Sequence, residues 1–426
     1  MQGVTFLRLG IKMASTMKFD IIIIGGGPNG LAAALALGGS TLVQPLRVLV
    51  LDARDPRAFA LANHDSRGTA ITRATQIMLA ALGVWADIAP HAQEMRDIIV
   101  TDGNGTHANR TTLLSFATEE NAASAAAIVE NRYIARALIT ALDKAPAITM
   151  KPDISVARIT TTSGSVTVET EAGELFTSPL LIGADGRNSF VRKNAGIGTK
   201  GHGYAQTALS FSISHQHPHN GMAEEHFSPT GVFAVLPLVG NNASIVWGES
   251  PDEAERLMRL GDEAFVAELS HRMGPRLGQL HVQGKKTAYP LSLQIAEYFV
   301  GARMALIGDA AHAVHPLAGL GLNLGYKDAA ALADCVAAAF ARGEDIGGSA
   351  VLERYQRWRR FEITATAFGL DGLNWLFAND NPLLKPARAA GLRIVDRLPL
   401  AKKMFMDEAA GQTGELPRLM QGLLPA

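Results

Sequence analysis

Two apolar patterns alternate near the start of the chain. Phe19 to Ile24 is a continuous run of β-branched and aromatic residues, and Arg47 to Leu51 is a second short, mostly apolar run. Between them, Leu31 to Leu37 is rich in alanine and leucine. Short continuous apolar runs are typical of strands buried on both faces of a parallel sheet, and the segment between them is typical of a helix. The pattern predicts a strand, helix, strand unit.

Further apolar runs predict more strands of the same kind. Ala126 to Glu130 is one, the run PLLIG before Asp185 is a second, and Met304 to Ile307 is a third. Between the first two, short strand-like segments joined by Ser163-Gly164 and Ala172-Gly173 turns predict a meander. The chain therefore alternates between buried strands and exposed ones.

Helical spacing appears in three other places. The segment from Thr75 to Ile88 puts Met78, Leu82 and Trp85 on one side, which predicts that Trp85 packs in the core. The segment NRYIARALITAL predicts a second helix. Residues 351–403 are predicted to be mostly helical, and basic residues outnumber acids there.

Residues 200–290 differ from the rest of the chain. The segments ALSFSISH, GVFAVLPL and ASIVWGE favour strands over helices, which predicts a separate antiparallel sheet. Residues 95–118 resemble short strands around an Asp102-Gly103 hairpin turn. The predicted fold class is α/β, with a mostly parallel Rossmann-type sheet, an antiparallel-sheet second domain and a C-terminal helical region.

Composition narrows the classes of function. The chain has 426 residues, 47% hydrophobic and 19% charged, and its formal net charge is -1. The absence of a broad positive field argues against nucleic acid as a partner. A single cysteine, Cys335, excludes an internal disulfide and a cysteine-based zinc site, which fits a reducing cytosol. No apolar run approaches the roughly 18 residues that span a bilayer. Residues 1–16 are interpreted as a disordered extension, or Met17 as the natural start.

The loop after the first strand carries the first candidate binding site. GGGPNG places Gly25, Gly27 and Gly30 in a G-x-G-x-x-G pattern, and Asp52 follows the next strand. In such a unit the first glycine permits a tight turn, the second admits a pyrophosphate and the third lets the helix pack on the strand. The acid accepts hydrogen bonds from a ribose. The motif alone is weak evidence, but strand, helix, strand and acid in this order predict a dinucleotide site.

Two later strands also end at an acid. One runs into Asp185-Gly186, and Met304 to Ile307 runs into Gly308-Asp309. Such positions lie where open α/β sheets bind ligands. Gly319 to Asn323 precedes an alanine- and leucine-rich segment, so the free N–H groups of a helix start would point at an electron-rich ligand. For this stretch alone, a glycine-rich loop without a ligand is the alternative.

Two arginines and several histidines are further candidates. Arg67 precedes the helix predicted at Thr75, where its guanidinium could reach a pyrophosphate. Arg132 lies in the first turn of the next predicted helix, from which an arginine can reach back over the sheet. For Arg67 a solvated loop position is the alternative. No cysteine or evenly spaced carboxylate completes a tetrahedral metal set around the histidines, so no metal site is predicted. The histidines interpreted as strand, turn or loop-packing residues are His215, His217, His219, His226, His312 and His315.

Three separated stretches resemble the single-Rossmann flavoprotein aromatic hydroxylases, and their order and spacing match along the chain. They are GGGPNG with Asp52, ADGRNSFVR, and GDAAHAVHPLAGLGLNLGYKD. Three more stretches resemble the ubiquinone-biosynthesis hydroxylase family within that group. They are YAQTALSFSISHQHPHNGMAEEHFSPTGVFAVLPL, FGLDGLNWLF and AAGQTGELPRLMQGLLP. The resemblance covers nearly the whole chain from Met17.

The resemblance implies an FAD site assembled from these stretches. The residues implied to hold the ADP part, the pyrophosphate and the ribityl chain are Gly25, Gly27, Gly30, Asp52, Arg67, Arg132 and Asp309. The residues implied to direct backbone N–H groups at the flavin N1/C2 carbonyl are Gly319, Leu320, Gly321, Leu322 and Asn323. Asp185 and Gly186 resemble a motif that serves both FAD and a transiently bound NAD(P)H. Many members have glutamine where Leu320 stands and arginine where His226 stands. Leu320 is implied to act through its backbone, so the missing glutamine changes little. The missing arginine at position 226 bears on contacts with the substrate.

The implied enzyme is an NAD(P)H- and O2-dependent FAD monooxygenase. Its implied substrate is the aromatic ring of a polyprenylated ubiquinone precursor, such as a 2-polyprenylphenol or 2-polyprenyl-6-methoxyphenol, hydroxylated through a flavin C4a-hydroperoxide. Because the flavin carries the chemistry, no catalytic residue is assigned. A hydroxylase of a soluble phenol and a non-catalytic flavin-binding subunit of a biosynthetic complex are the alternatives.

The resemblance also suggests partners and a domain division. Other ubiquinone-biosynthesis proteins are the implied protein partners. The basic region containing Arg397, Lys402 and Lys403 suggests peripheral contact with the inner face of a membrane from the cytoplasm, and a solvated helical face is the alternative. The division assigns residues 17–94, 122–197 and 289–345 to the FAD-binding domain, 95–121 and 198–288 to the substrate domain, and 346–426 to the C-terminal helical region.

Overall fold

The computed structural model describes residues 16–40, 42, 44–62, 67–102, 110–117, 124–377 and 410–426. Most of the predicted N-terminal extension lies outside these ranges. So do Gly103 of the predicted hairpin turn and the predicted helical residues 378–403, including Arg397, Lys402 and Lys403.

The central layer is a six-stranded sheet. Its strands are apolar because both faces are covered, and Ile21, Ile22 and Ile23 are fully buried. In spatial order the strands are β19 (Val300–Gly301), β20 (Met304–Leu306), β13 (Leu180–Gly183), β2 (Ile21–Ile24), β3 (Val48–Leu51) and β9 (Ile148–Lys151). All neighbours in this sheet run parallel except β19 and β20.

The second large layer is an eight-stranded sheet, antiparallel except where β15 meets β6 in parallel. In spatial order its strands are β21 (His312–Ala313), β18 (Leu280–Ala296), β14 (Thr199–His215), β17 (Asn242–Glu249), β16 (Gly231–Leu238), β15 (Met222–Ser228), β6 (Asp97–Asp102) and β7 (Thr111–Ala117). The predicted strands near residues 95–118 therefore extend this sheet. Residue 288, a predicted domain boundary, lies inside β18.

Two smaller sheets complete the strands of the described residues. The first carries the predicted meander and pairs it with the start of the chain. Its order is β1 (Met17–Lys18), β12 (Leu175–Ser178), β11 (Val166–Thr170) and β10 (Val156–Thr161). The order of the second is β4 (Gly68–Thr72), β8 (Ala126–Glu130) and β5 (Ala92–Glu94).

The helices cover the faces of these sheets. Helices α1 and α9 pack against each other, and α9 also packs against α10. No helix of the described residues is both long and apolar enough to cross a membrane. The helices are α1 (Pro28–Gly38), α2 (Pro56–Ala60), α3 (Arg73–Ala81), α4 (Trp85–Ile88), α5 (Asn131–Asp143), α6 (Phe190–Asn194), α7 (Pro251–Arg259), α8 (Asp262–Met273), α9 (Gly321–Ala341) and α10 (Ser349–Phe377).

The structure confirms the predicted α/β class and corrects two local predictions. The helix predicted from Thr75 to Ile88 is broken into α3 and α4, because Gly83 has a φ of 74° that ends the first helix. Trp85 packs at the edge of the main core. Helices α7 and α8 were not predicted. They cover one face of the eight-stranded sheet and bury Leu257 and Phe265 against it.

Candidate active site

Four parallel strands of the six-stranded sheet have their C-terminal ends side by side. Their last residues are in register, with Gly183 beside both Ile24 and Leu306. Ile24 in turn lies beside Leu51. This register brings the segments that follow β2, β3, β13 and β20 together, which is where an open α/β sheet binds its ligand. The three acids predicted at strand ends, Asp52, Asp185 and Asp309, thus all follow the C-terminal end of the sheet.

The glycine loop between β2 and α1 is closely packed except at its centre. Gly25 has a φ of 113°, and a Cβ there would lie 2.2 Å from the carbonyl oxygen of Ala184. A Cβ at Gly30 would lie 1.9 Å from the carbonyl oxygen of Gly25. A Cβ at Gly27 would meet nothing within 4 Å, and no side chain caps the first turn of α1 there. The loop therefore leaves the helix N-terminus open to an anion.

Asp52 holds this loop from the neighbouring strand. Its Oδ2 accepts a hydrogen bond from the N–H of Gly26 at 2.6 Å, and its Oδ1 accepts from the N–H of Arg54 at 2.8 Å. A carboxylate has about four acceptor positions, so Asp52 keeps capacity for a ligand hydroxyl.

Asp185 has more internal partners than the sequence indicated. It accepts hydrogen bonds from the Ser189 hydroxyl at 2.5 Å and from the N–H groups of Phe190 at 2.6 Å and Val191 at 3.1 Å. These contacts cap the start of α6. The next residue, Gly186, has a φ of 77°, and a Cβ there would meet nothing within 4 Å. The open feature of this turn is therefore its backbone.

Asp309 lies in a single 3-10 turn, Gly308–Ala310, directly after β20. Its side chain is exposed, and it makes no hydrogen bond or ion pair within the described residues. Gly308 has a φ of 58°, and a Cβ there would lie 2.4 Å from Asn29 Nδ2. The turn thus requires glycine before the acid and presents the acid outward.

A buried ionic network fixes this turn from below. Asp328 on α9 accepts hydrogen bonds through Oδ2 from the N–H of Gly308 at 3.0 Å and from His312 Nε2 at 2.6 Å. Its Oδ1 accepts from Arg359 Nε of α10 at 2.8 Å. All three side chains are fully buried. Burial alone would raise the pKa of the Asp328 carboxyl, but His312 and Arg359 outweigh it and hold that pKa below its ordinary value.

A second buried charge links the Asp185 and Asp309 turns. Arg192 of α6 donates through Nη1 to the carbonyl of Ala310 at 2.7 Å and through Nη2 to the carbonyl of Arg187 at 2.8 Å. Burial lowers the pKa of the Arg192 guanidinium from its ordinary value. The two turns therefore share a rigid connection.

The start of α9 is open at its backbone and clamped by one side chain. No side chain caps the first turn after Leu320, and a Cβ at Gly321 would meet only Val314 Cγ2, at 3.9 Å. The Asn323 side chain donates to the carbonyl of Ala70 at 2.7 Å and accepts from the N–H of Thr72 at 3.1 Å. These bonds tie the helix start to β4.

The remaining predicted residues of this loop pack on either side of it. Gly319 has a φ of 62° and adjoins Ala70. Leu320 packs against an apolar cluster that includes residues of the eight-stranded sheet, and Leu322 packs against the main core.

The two predicted arginines occupy different surroundings. Arg132 is half-buried in α5, where it donates to Glu130 at 3.2 Å, to the carbonyl of Ala62 at 3.1 Å and to the Tyr133 hydroxyl at 2.9 Å. Arg67 does not directly precede a helix, because the strand β4 follows it. Its guanidinium lies 4.5 Å from the ring centroid of Tyr289 on the eight-stranded sheet.

An apolar cluster adjoins the start of α9. It joins three walls: the eight-stranded sheet, the segment from Val314 to Leu324, and the inner face of α10. Phe227 of the sheet stacks on Phe377 of α10, with ring centroids 4.2 Å apart. The fully or nearly buried members are Leu113, Phe227, Leu293, Val314, Leu317, Leu324, Ala367, Leu370 and Phe377.

His226 lies on the other face of the sheet. Its ring stacks on Phe233, which packs under α7 and α8, whereas the next residue, Phe227, faces α10. Adjacent strand residues point to opposite faces. In this chain the side chain at position 226 therefore faces away from the apolar cluster that Phe227 joins. His226 bonds Thr101 Oγ1 at 2.7 Å and Glu224 at 3.1 Å instead.

The other histidines also have protein partners. His312 binds Asp328, and His315 Nε2 lies 3.1 Å from Gln206 Oε1. Burial lowers the pKa of His315 to about 4. His219 bonds the carbonyl of Leu238 at 2.7 Å, and His215 bonds that of His217 at 2.8 Å. In the described part of the chain no group of three or more His, Cys, Asp or Glu side chains is arranged to hold a metal ion.

The segments at the C-terminal end of the six-stranded sheet fit FAD. Two uncapped helix starts, at Gly27 and Gly321, offer N–H groups to negative charge. The exposed Asp309 offers acceptors for the hydroxyls of a polyol chain. Open backbone at Gly27 and Gly186 leaves room for close approach of a ligand. These features suit a diphosphate joined to a ribityl chain.

Fold and site together define a single-Rossmann flavoprotein with the aromatic-hydroxylase architecture. Among solved structures, p-nitrophenol 4-monooxygenase PnpA from Pseudomonas putida DLL-E4 superposes with a TM-score of 0.76, 21% identity, and coverage of 94% of this chain and 100% of that one. At this identity the likeness shows the fold alone.

The sequence comparisons show the family. A family model described as FAD binding domain matches residues 18–367. The chain is 38% identical over 409 residues to ubiquinone hydroxylase UbiL of Rhodospirillum rubrum, covering 95% of this chain and 93% of that protein. It is 33% identical over 394 residues to 3-demethoxyubiquinol 3-hydroxylase of Escherichia coli, covering 92% and 98%. The chain belongs to the FAD-binding ubiquinone-biosynthesis hydroxylases and is an FAD-dependent aromatic monooxygenase.

Sequence reasoning missed several residues that shape this site. Asn29, Arg192 and Asp328 were not singled out, and Arg359 was counted in a solvated or membrane-facing basic region although it is fully buried. A signal existed for Asp328, because it is an acid in an otherwise alanine-rich helical segment. Arg359 has no such signal, since other arginines surround it.

Proposed function

We propose that this enzyme hydroxylates the aromatic ring of a polyprenylated ubiquinone precursor, using FAD, NAD(P)H and O2. The names of two relatives, ubiquinone hydroxylase UbiL and 3-demethoxyubiquinol 3-hydroxylase, support this substrate class. A 2-polyprenylphenol or a 2-polyprenyl-6-methoxyphenol fits the proposal.

The observation that carries the proposal is the apolar cluster beside the start of α9. Val314, Leu317 and Leu324 connect it to the loop proposed to face the flavin. Phe227 and Phe377 extend it between the sheet and α10. A substrate with a polar ring and an apolar tail suits apolar side chains in this position, because burying the tail contributes about 0.8 kcal/mol per methylene.

We propose that the candidate residues hold FAD as follows. The N-terminus of α1 at Gly27 binds the pyrophosphate, and Asp52 binds the ribose. Asp309 binds the ribityl or pyrophosphate region. The backbone from Gly319 to Asn323 faces the flavin ring. Arg67, Arg132, Asp185 and Gly186 complete the set as residues near the pyrophosphate or the transient nicotinamide.

Bound FAD, reduced by NAD(P)H and reoxidised by O2, supplies the redox chemistry. The chain's own residues bind the flavin, orient the aromatic ring of the substrate and exclude water from the site. The helix dipole of α9 stabilises negative charge at its N-terminus. Asn323 keeps that N-terminus in place through β4. The apolar side chains of Leu317 and Leu324 restrict access of water.

NAD(P)H is proposed to bind transiently. In the described residues the second glycine-rich segment, Gly198 to Gly203, overlaps the start of strand β14 and precedes no helix. It therefore lacks the strand, turn and helix arrangement of a second dinucleotide site.

Anaerobic reduction followed by O2 tests this function. We expect NAD(P)H to reduce the enzyme-bound flavin. After O2 is added, we expect a polyprenylated phenol to be hydroxylated faster than a tailless phenol of the same ring. Equal turnover of both substrates would support a hydroxylase of soluble phenols. Flavin reduction or oxidation without any hydroxylated product would support a non-catalytic flavin subunit. In a deletion strain we expect one quinone intermediate to disappear and its precursor to accumulate.

We propose in addition that the enzyme works in peripheral contact with the inner face of a membrane and with other ubiquinone-biosynthesis proteins. The support is the apolar tail of the proposed substrate, which resides in a bilayer. Neutralising Arg397, Lys402 and Lys403 is expected to weaken vesicle binding, and unchanged binding would contradict a role for that basic segment.

A further inference from the structure

The outer face of α10 carries a row of exposed aromatic side chains. Phe361 is 81% exposed, Phe368 is 64% exposed and Trp375 is 68% exposed. They are spaced seven residues apart, which is close to two helical turns, so they lie on one face. The row extends over about 21 Å. The small exposed residues Ala365, Gly369 and Gly372 lie between them, so the aromatic rings protrude from the helix.

This row is unusual for a surface that only faces water. Single exposed apolar residues are ordinary, but aligned large ones mark interaction surfaces. The opposite face of the same helix is fully used, because Ala367, Leu370 and Phe377 are buried in the apolar cluster. The helix therefore has two apolar faces. The inner one packs in the apolar cluster, and the outer one carries Phe361 and Phe368 as exposed side chains.

The charges beside the aromatic row are positive. Arg357 and Arg360 are exposed, and neither forms an ion pair within the described residues. The Arg360 guanidinium lies 5.6 Å from the ring centroid of Tyr298, which is itself 55% exposed.

The acids of α10 do not offset these arginines. Glu362 turns to Lys327 and Arg359, and Asp371 accepts a hydrogen bond from the Tyr204 hydroxyl at 2.8 Å. The exposed Glu353 lies one turn before Arg357 on the same face, but it forms no ion pair with Arg357 within the described residues. The centre of the outer face therefore combines aromatic rings with two arginines that have no ion pair within the described residues.

We propose that this face, made of Tyr298, Arg357, Arg360, Phe361 and Phe368, docks the enzyme on an anionic phospholipid surface. Aromatic rings insert at the level of the headgroups, and arginines bind the anionic phosphates. The proposal rests on the proposed function, because it brings a membrane-dissolved substrate to the site. The inner face of the docked helix covers the apolar cluster, so a prenyl tail has to cross only about one helix diameter, roughly 10 Å.

Vesicle binding of the intact FAD-loaded enzyme tests the docking surface. Vesicles of phosphatidylcholine alone are compared with vesicles in which about one third of the lipid is phosphatidylglycerol, an anionic surface of the kind that attracts basic residues. We expect the wild type to bind the anionic vesicles. Phe361→Ser with Phe368→Ser should weaken binding at least about tenfold, since two large apolar groups no longer enter the interface. Arg357→Gln with Arg360→Gln should weaken it about 25-fold at low salt, at about fivefold per arginine, and less at high salt.

Leu61→Ser is the matched control. Leu61 is 72% exposed, but it lies beyond α2, away from α10 in sequence. Its loss should leave vesicle binding unchanged, and all variants should keep wild-type FAD content and unfolding midpoint. Equal vesicle binding by the wild type and the double phenylalanine variant would overturn the proposal. Conversion of a dimer to a monomer by that variant, with vesicle binding unchanged, would also overturn it and identify the face as a contact between two copies.

Turnover separates this proposal from the proposed function. The double phenylalanine variant should hydroxylate a detergent-dissolved short-chain substrate at the wild-type rate, and should lose rate only on substrate embedded in anionic vesicles. Loss of hydroxylation by the wild type on every substrate would refute the proposed function, while the vesicle-binding result would still decide the docking surface.

Discussion

The turns after β13 and β20 begin alike and use their acids differently. Both follow a buried parallel strand, and both carry an aspartate within three residues of its end. Asp185 accepts three internal hydrogen bonds and caps α6. Asp309 makes none within the described residues, and its turn is held instead by Asp328 beneath it. The first acid therefore builds structure, and the second is left available for a ligand.

The difference shows how a ligand-binding acid stays free. A carboxylate near backbone N–H groups tends to accept from them, as Asp185 does. At the Asp309 turn, the N–H of Gly308 is already satisfied by a second, buried acid. Supporting a functional side chain from behind is a general requirement of precise sites. Changing each acid in turn tests this division of roles.

The largest expected effect comes from the supporting acid. Asp328→Ala removes the partner of two buried groups, His312 and Arg359. Leaving a buried charge without its partner costs about 3 to 5 kcal/mol. We expect the free energy of unfolding of the FAD-free protein, measured in urea, to fall by this amount.

The control for this prediction is an exposed ion pair. Glu169→Ala breaks the contact with Arg158 and should change stability by less than about 1 kcal/mol. Replacing both partners, Asp328→Leu with Arg359→Met, should recover part of the loss, because neither buried charge then remains. A loss below about 1 kcal/mol for Asp328→Ala would show that the network does not hold the turn.

The next effect is a pH dependence of the free energy of unfolding, caused by a histidine in the segment that follows the Asp309 turn. The segment after this turn buries His315, whose pKa is lowered by burial to about 4, with Asp371 opposing the shift. Because the folded state resists protonation, its stability is complete above the ordinary pKa near 6.5 and is lost as the pH falls from there towards 4.

The measurement compares urea unfolding at neutral and mildly acidic pH. At about 1.4 kcal/mol for each pH unit between the two pKa values, lowering the pH from 7 to 5 should remove about 2 kcal/mol of stability through His315, in addition to any loss through other buried histidines. His315→Gln should show a loss smaller by about that amount. Identical pH dependence in both proteins would contradict the assigned role of His315.

Asp309→Ala is expected to separate binding from folding. Hydrogen bonds to a charged group contribute about 1.5 to 3 kcal/mol, so FAD affinity should fall about tenfold to a hundredfold. Stability of the FAD-free protein should change little, because the side chain is exposed and has no partner in the described residues. Fluorescence titration with FAD measures the affinity. A variant that folds and keeps its full complement of FAD would refute the assignment.

Asp185→Ala should show the smallest effect. In contrast to Asp309→Ala, it should lower the stability of the protein more than its affinity for FAD. It removes the acceptor of two N–H groups in the first turn of α6 but leaves the Ser189 N-cap, so it should cost about 1 kcal/mol of stability. FAD affinity should fall less than in Asp309→Ala, since the open feature of this turn is its backbone at Gly186. A larger loss of FAD affinity for Asp185→Ala than for Asp309→Ala would reverse the comparison.

Much of the sheet could be predicted from sequence because strand and helix periods are local. The runs at Phe19 to Ile24 and Met304 to Ile307 became buried parallel strands, with a difference of one or two residues at their ends. The break between α3 and α4 was missed because the helical spacing of apolar residues continues across Gly83. Helices α7 and α8 were missed because the strand patterns on both sides of them dominated the interpretation of residues 200–290.

The support of the site could not be predicted. Asp185 and Asp309 carry the same local signal, an acid just after an apolar strand. Asp185 is bonded within its own turn, whereas the Asp309 turn is held by a residue distant in sequence. Asp328 lies 20 positions from Gly308, and Arg359 lies 31 positions from Asp328. Long-range pairs of this kind leave no periodic trace in a single sequence.

The side chain of Asn29 constrains how this protein can change over evolutionary time. A Cβ at Gly308 would lie 2.4 Å from Asn29 Nδ2, and one at Gly325 would lie 2.0 Å from it. A single helix residue thus fills the space of two missing side chains, one in the Asp309 turn and one in α9. Substitution at Gly325 becomes tolerable only after position 29 has become smaller. We expect positions 29 and 325 to vary together among relatives, while Gly308 stays fixed by its φ of 58° as well.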